Sequence, residues 1–197
     1  MPGSCIPASP GREPAATMTL LRRLLPLLVL LSPLGACRTA AFDRDPTGEP
    51  FPSVRGRSLQ GEEIRLPEDL AGTPAILLVG YDQDAQFDAD RWLYGLLQAD
   101  LDSAIYEVPT LPGLFPSAFA GTIDDGMRSG IPEEDWSTVV TLYGSDASPV
   151  VTLTGNERRR NMRVLLLDAT GRVVWFHDRG FSAGKLIELE RAVEGLR

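Results

Sequence analysis

Residues 163–189 read RVLLLDATGRVVWFHDRGFSAGKLIEL. Two runs rich in apolar and β-branched residues, 163–168 and 172–177, flank the polar tight turn Ala169-Thr170-Gly171, a pattern that predicts an antiparallel hairpin. After Gly180, Ser182 stands where it can cap a helix, and Leu186, Leu189, Ala192, Val193 and Leu196 recur at helical spacing. A hairpin followed directly by an amphipathic helix predicts a sheet with a helix packed on it.

Working outward toward the N-terminus, residues 74–81 (PAILLVGY) form a continuous apolar run of strand length, expected of a strand covered on both faces and placed centrally in its sheet. Ala89, Trp92, Leu93, Leu96, Leu97 and Leu101 then follow helical spacing, and Asp84 or Asp88 can cap the start of that helix. Residues 104–108 (AIYEV) predict a second strand. The Pro- and Gly-rich region 111–121 leads into a helical segment reaching about Val140. Upstream, 57–59 and 63–66 flank Gln60-Gly61-Glu62 as an N-terminal hairpin, followed by Pro67 and a turn to Gly72. Residues 37–52, with Pro46, Gly48, Pro50 and Pro52 among charges and no apolar period, read as a tether, so the domain is expected to span 53–197.

The order strand, helix, strand, helix, β-hairpin, helix over about residues 51–196 resembles the thioredoxin fold, an α/β architecture whose central mixed sheet is flanked by helices. An added N-terminal hairpin resembles its peroxiredoxin-like branch. That resemblance implies a reactive CxxC after the central strand, where a helix N-terminus and neighbouring cations stabilise a thiolate. Here the loop is YDQDAQFDA, residues 81–89. Counting from the strand, Gln86 and Ala89 occupy the positions of the two cysteines, and Asp82, Asp84 and Asp88 would raise a thiol pKa rather than lower it. The cis-proline expected before the third core strand is also missing, since Arg160-Asn161-Met162-Arg163 lead into Val164. The chain's two cysteines, Cys5 and Cys37, both precede the domain, so cysteine-based disulfide exchange and peroxidase chemistry are predicted absent.

Within thioredoxin-like proteins the chain is most similar to the mitochondrial ATP synthase assembly factor "ten" family. The similarity is carried by Phe51-Pro52, the Leu59-x-Gly61 turn, Leu78-Val79 before the helix holding Trp92, and VLLLD with GRVVW between Val164 and Trp175. It implies assembly or binding of a partner protein at a membrane, without covalent chemistry. The leader described next departs from the mitochondrial pattern.

From Met18 the chain reads MTLLRRLLPLLVLLSPLGAC: Arg22 and Arg23 precede an apolar run, residues 24–34, that ends in small residues. This reads as a secretory signal peptide, too short to span a bilayer. Leu34-Gly35-Ala36-Cys37 resembles the lipobox of bacterial lipoproteins, which implies cleavage before Cys37 and lipidation of its thiol. Residues 1–36 are then leader, Met18 is the expected true start, and Cys5 is not translated. Arg38 follows the cysteine, and no aspartate stands where it would resemble an inner-membrane retention signal. A lipid-anchored position in the bacterial cell envelope is expected, on the periplasmic side of the outer membrane if the envelope is Gram-negative.

The net charge of −8 becomes −10 when the three arginines and one glutamate before Cys37 are removed, which disfavours a nucleic-acid partner. Asp82, Asp84, Asp88 and Asp90 do not make an EF-hand: such a loop would need glycine where Phe87 stands and glutamate where Leu93 stands. A solvated, helix-capping cluster is expected instead. His177 is the only histidine, leaving no histidine pair for a transition metal; no metal or cofactor is expected. Arg158, Arg159, Arg160 and Arg163 form the one basic run and are candidate contacts for a partner or an anionic lipid. Trp92 and Trp175 fit a core, whereas Trp136 is expected to be more exposed. The leading reading is a redox-inactive binding or assembly factor for a membrane or envelope protein, using the face with Gln86 and the loop 158–163. The alternatives are a non-thiol enzyme built on residues 82–90 with His177, and a small-ligand-binding lipoprotein.

Overall fold

The structure is a computed structural model that describes residues 41–101 and 103–197. The leader, the cleavage site and Cys37 lie outside the described residues. Seven strands form one sheet in the order β2-β1-β5-β4-β3-β6-β7: β1 (Val54–Ser58), β2 (Glu63–Leu66), β3 (Ala75–Gly80), β4 (Ala104–Leu111), β5 (Val140–Tyr143), β6 (Arg163–Leu167) and β7 (Val173–His177). β3, β4 and β5 run parallel, while β1 pairs antiparallel with β2 and β5, and β6 with β3 and β7. The helices are α1 (Gln86–Ala99), α2 (Leu114–Ala118), α3 (Ala120–Arg128), α4 (Gly144–Thr154) and α5 (Ala183–Glu194). This is the thioredoxin-like arrangement expected from the sequence.

The run AILLVG of β3 is buried because both faces of the sheet are covered. Leu77 and Val79 join one apolar cluster with Ala147, Val150 and Val151 of α4. Ile76 and Leu78 point the other way, into a cluster with Ala89, Trp92 and Leu96 of α1 and Leu189 and Val193 of α5. In that second cluster the Trp92 ring meets Trp175, His177 and Phe181 edge-on, with centroids 5.3–6.3 Å apart. The β6–β7 turn is held by Asp168, whose Oδ1 accepts from Thr170 N (2.8 Å), Thr170 Oγ1 (2.7 Å) and Arg172 N (3.0 Å). These bonds, led by the Thr170 hydroxyl, hold its carboxyl below the usual carboxylate range.

Four sequence expectations need correction. The tether does not extend to residue 52: from Ala41 the chain is docked, with Gly48 N on Val173 O, Phe51 N on Gly171 O and Val173 N on Glu49 O. Phe51 is buried in the first cluster. Leu97 falls on the flank of α1 rather than under it and is 73% exposed. The helix expected up to Val140 is two short helices, a 3-10 turn at Glu133–Asp135 and then β5; neither β5 nor α4, which contains Pro149, was anticipated. Ser182 sits at the start of α5, but its side chain makes no capping bond.

Candidate functional site

Ligands of open α/β sheets bind beyond the carboxyl ends of parallel strands. At that end of β3 the chain turns through Tyr81, and Asp82 accepts from Asp84 N (3.2 Å) to start the 3-10 turn that leads into α1. Gln86 is the first residue of α1, exposed, with Nε2 donating to Asp90 at 3.0 Å. Ala89, one turn on, is fully buried. The two positions expected to replace the lost thiols thus differ: one faces solvent and the other is core.

Asp88 is not part of a solvated cluster. Its carboxylate is buried and accepts from Met162 N (2.9 Å), just before β6, and from Phe181 N (2.7 Å), after β7. One carboxylate therefore fastens three segments at this end of the sheet. Gly180, at φ +85°, lies against it, and Gly180 O accepts from His177 Nε2 at 2.9 Å. That bond fixes the imidazole proton on Nε2, and the ring packs on Trp92.

The second anchor is Arg163, whose side chain is completely buried. Its Nη2 donates to Asp43 Oδ1 (2.8 Å), its Nη1 to the carbonyls of Arg158 (2.6 Å) and Asn161 (2.9 Å), and its guanidinium lies 5.1 Å from the Tyr81 ring centroid. Asp43 also accepts from Arg158 Nη1 (2.7 Å) and Glu157 N (2.8 Å). Ala41 and Asn156 exchange two bonds beside them, Ala41 N to Oδ1 (3.1 Å) and Asn156 N to Ala41 O (3.0 Å). Tyr81, buried here and hydrogen-bonded to Thr154 Oγ1 at 2.7 Å, has its phenol pushed well above its ordinary range by burial.

The basic run therefore divides. Arg163 is an internal strut and is removed from the candidate partner contacts. Arg158 pairs with Asp43 and, at 3.5 Å, with Asp178; Arg160 is largely exposed and pairs with Asp84 at 3.2 Å. Arg159 is partly exposed. A cleft of about 400 Å³ lies between Asp82 and Asp84 on one wall and residues 157–161 on the other. His177 does not line it; the histidine meets the acidic loop only through Gly180, which accepts its Nε2–H and lies against the buried Asp88. Among the described residues no group of three His, Cys, Asp or Glu could hold a metal ion. Trp136, expected to be more exposed than Trp92 and Trp175, is half-buried like Trp175 while Trp92 is fully buried, with Nε1 donating to Ile131 O (3.0 Å) and Arg128 5.7 Å from its ring.

Sequence reading missed Asp43 and Asn156, which complete this end of the sheet. The available signal was Arg163 itself: a charge at the head of the buried run RVLLL needs a carboxylate partner.

No protein-family model and no curated protein matches this chain. Solved structures do. The thioredoxin domain of a thiol-disulfide oxidoreductase from Bacteroides vulgatus is 17% identical, covering 75% of this chain and 97% of its own, with a TM-score of 0.50. BsSco, a member of the Sco family of cytochrome c oxidase assembly proteins, is 10% identical, covering 80% and 100%, with a TM-score of 0.54. Copper-bound yeast Sco1 is 14% identical, covering 77% and 94%, with a TM-score of 0.52. At these identities the likeness defines the fold: this is a thioredoxin-like domain.

Proposed function

We propose that the chain is a redox-inactive, lipid-anchored thioredoxin-like protein of the bacterial envelope that binds a membrane or envelope protein and assists its assembly. The observation that carries this reading is the site itself. Gln86 and Ala89 stand at the candidate thiol positions and the domain contains no cysteine, yet the same end of the sheet carries a charged cleft lined by Asp82, Asp84 and residues 157–161. Small-molecule pockets are mostly apolar with a few polar groups. This cleft is walled by carboxylates and guanidiniums, which suits the charged surface of a protein partner better. The residues at 51–61, 78–92 and 164–175 that resemble the ATP synthase assembly factor "ten" family motivate an assembly role, and the lipobox-like 34–37 motivates anchoring through Cys37.

The test is crosslinking of the acylated protein in membranes, with partners identified by mass spectrometry. A partner enriched over a lipidated control domain, and lost in an Arg159→Glu/Arg160→Glu variant, is the expected result. No enrichment over the control would overturn the proposal.

A further inference from the structure

The docking of residues 41–43 places a limit on how the domain sits at a membrane. Ala41 is held by both bonds to Asn156, and Asp43 by Arg158 and Arg163. Gly155 is built for this approach: a Cβ there would overlap Phe42 O and the backbone of Asp43. Cys37 is only four residues before Ala41, and a fully extended chain of that length reaches about 14 Å. Between the two held residues, Phe42 is 85% exposed, and its neighbour Asp43 bonds Glu157 and Arg158 of the loop that also carries Arg159 and Arg160. Aromatic rings with flanking arginines suit the headgroup layer of a bilayer.

We infer that Phe42 and the loop 157–161 form a membrane-apposed face, which the anchor on Cys37 holds at the lipid headgroups with the cleft end of the sheet turned toward the bilayer. This rests on the reading of Cys37 as acylated, and it narrows the partner to one whose binding segment lies at the membrane surface. The β6–β7 turn points the other way, since Arg163 and Leu167 at the two ends of β6 are about 13 Å apart.

The experiment uses the mature acylated protein in vesicles of phosphatidylethanolamine with a minority of phosphatidylglycerol. Cys5 and Cys37 are the only native cysteines; the first lies before the cleavage site and is absent from the mature protein, and acylation blocks the second. Arg159→Cys and Ala169→Cys each then carry one free thiol for a fluorophore, and nitroxides on the lipid headgroups quench whichever label lies near them. Quenching several-fold stronger at 159 than at 169 is expected. Equal quenching, or stronger quenching at 169, on protein shown by mass spectrometry to be acylated would overturn this inference alone. Absence of acyl chains from Cys37 would overturn it together with the anchoring reading.

Discussion

Asp43 and Arg163 form a pair withdrawn from water, and the cost of burying each charge is offset only while the other is present. Asp43→Ala leaves Arg163 buried without a carboxylate, and is expected to destabilise the domain by about 3–5 kcal/mol. Asp43→Leu/Arg163→Met removes both charges and is expected to recover most of that loss; denaturant unfolding of the three proteins measures it. Glu107, on β4, faces α1, where burial first and Asp90 second push its carboxyl up to about 7. The unfolded chain releases this proton at lower pH than the folded one, so the contribution is fully present below about pH 4.5 and is lost as pH rises through 7. Glu107→Gln is expected to raise the melting temperature above pH 7 and to flatten the decline between pH 4.5 and 7. A wild-type decline unchanged by the substitution would rule Glu107 out as its source. At this scale the sequence revealed little: Arg163 advertised a need for a counterion, but Asp43 lies 120 residues away in a stretch without periodicity. Asp88 looked like a capping residue because its two backbone donors come from loops that no local pattern brings together.

At the scale of elements, legibility followed periodicity and length. The β6–β7 hairpin, β3, α1 and α5 each carry several apolar residues at one spacing, and the structure has them close to where the sequence placed them. β5 is only four residues long, and α4 carries Pro149, so neither offered a signal above its surroundings. The segment 41–52 looked like a linker because it docks by scattered backbone bonds and one isolated bridge rather than as a regular element. Gly155, with φ +71° and no room for a Cβ, is the hinge of that docking. Gly155→Ala is expected to cost about 1–3 kcal/mol and to speed hydrogen exchange at the Ala41 and Asn156 amides. Gly121→Ala, on the open face of α3, is expected to do neither.

For the molecule as a whole, two apolar clusters on opposite faces of one sheet hold a thioredoxin-like scaffold in which residues 41–197 include no cysteine. Mature protein assayed for dithiol-dependent disulfide reduction is expected to match the protein-free baseline; a rate above it would contradict the redox-inactive reading. The placement of Asp43 also decides where this domain can be cut. A shortened chain starting at Ser53, the boundary suggested by composition, would keep the sheet and all five helices yet discard the counterion of Arg163 and the Phe51 side chain from the core. A chain starting at Ala41 keeps both, and those twelve residues, unremarkable by composition, separate a domain that can be produced alone from one prone to unfold.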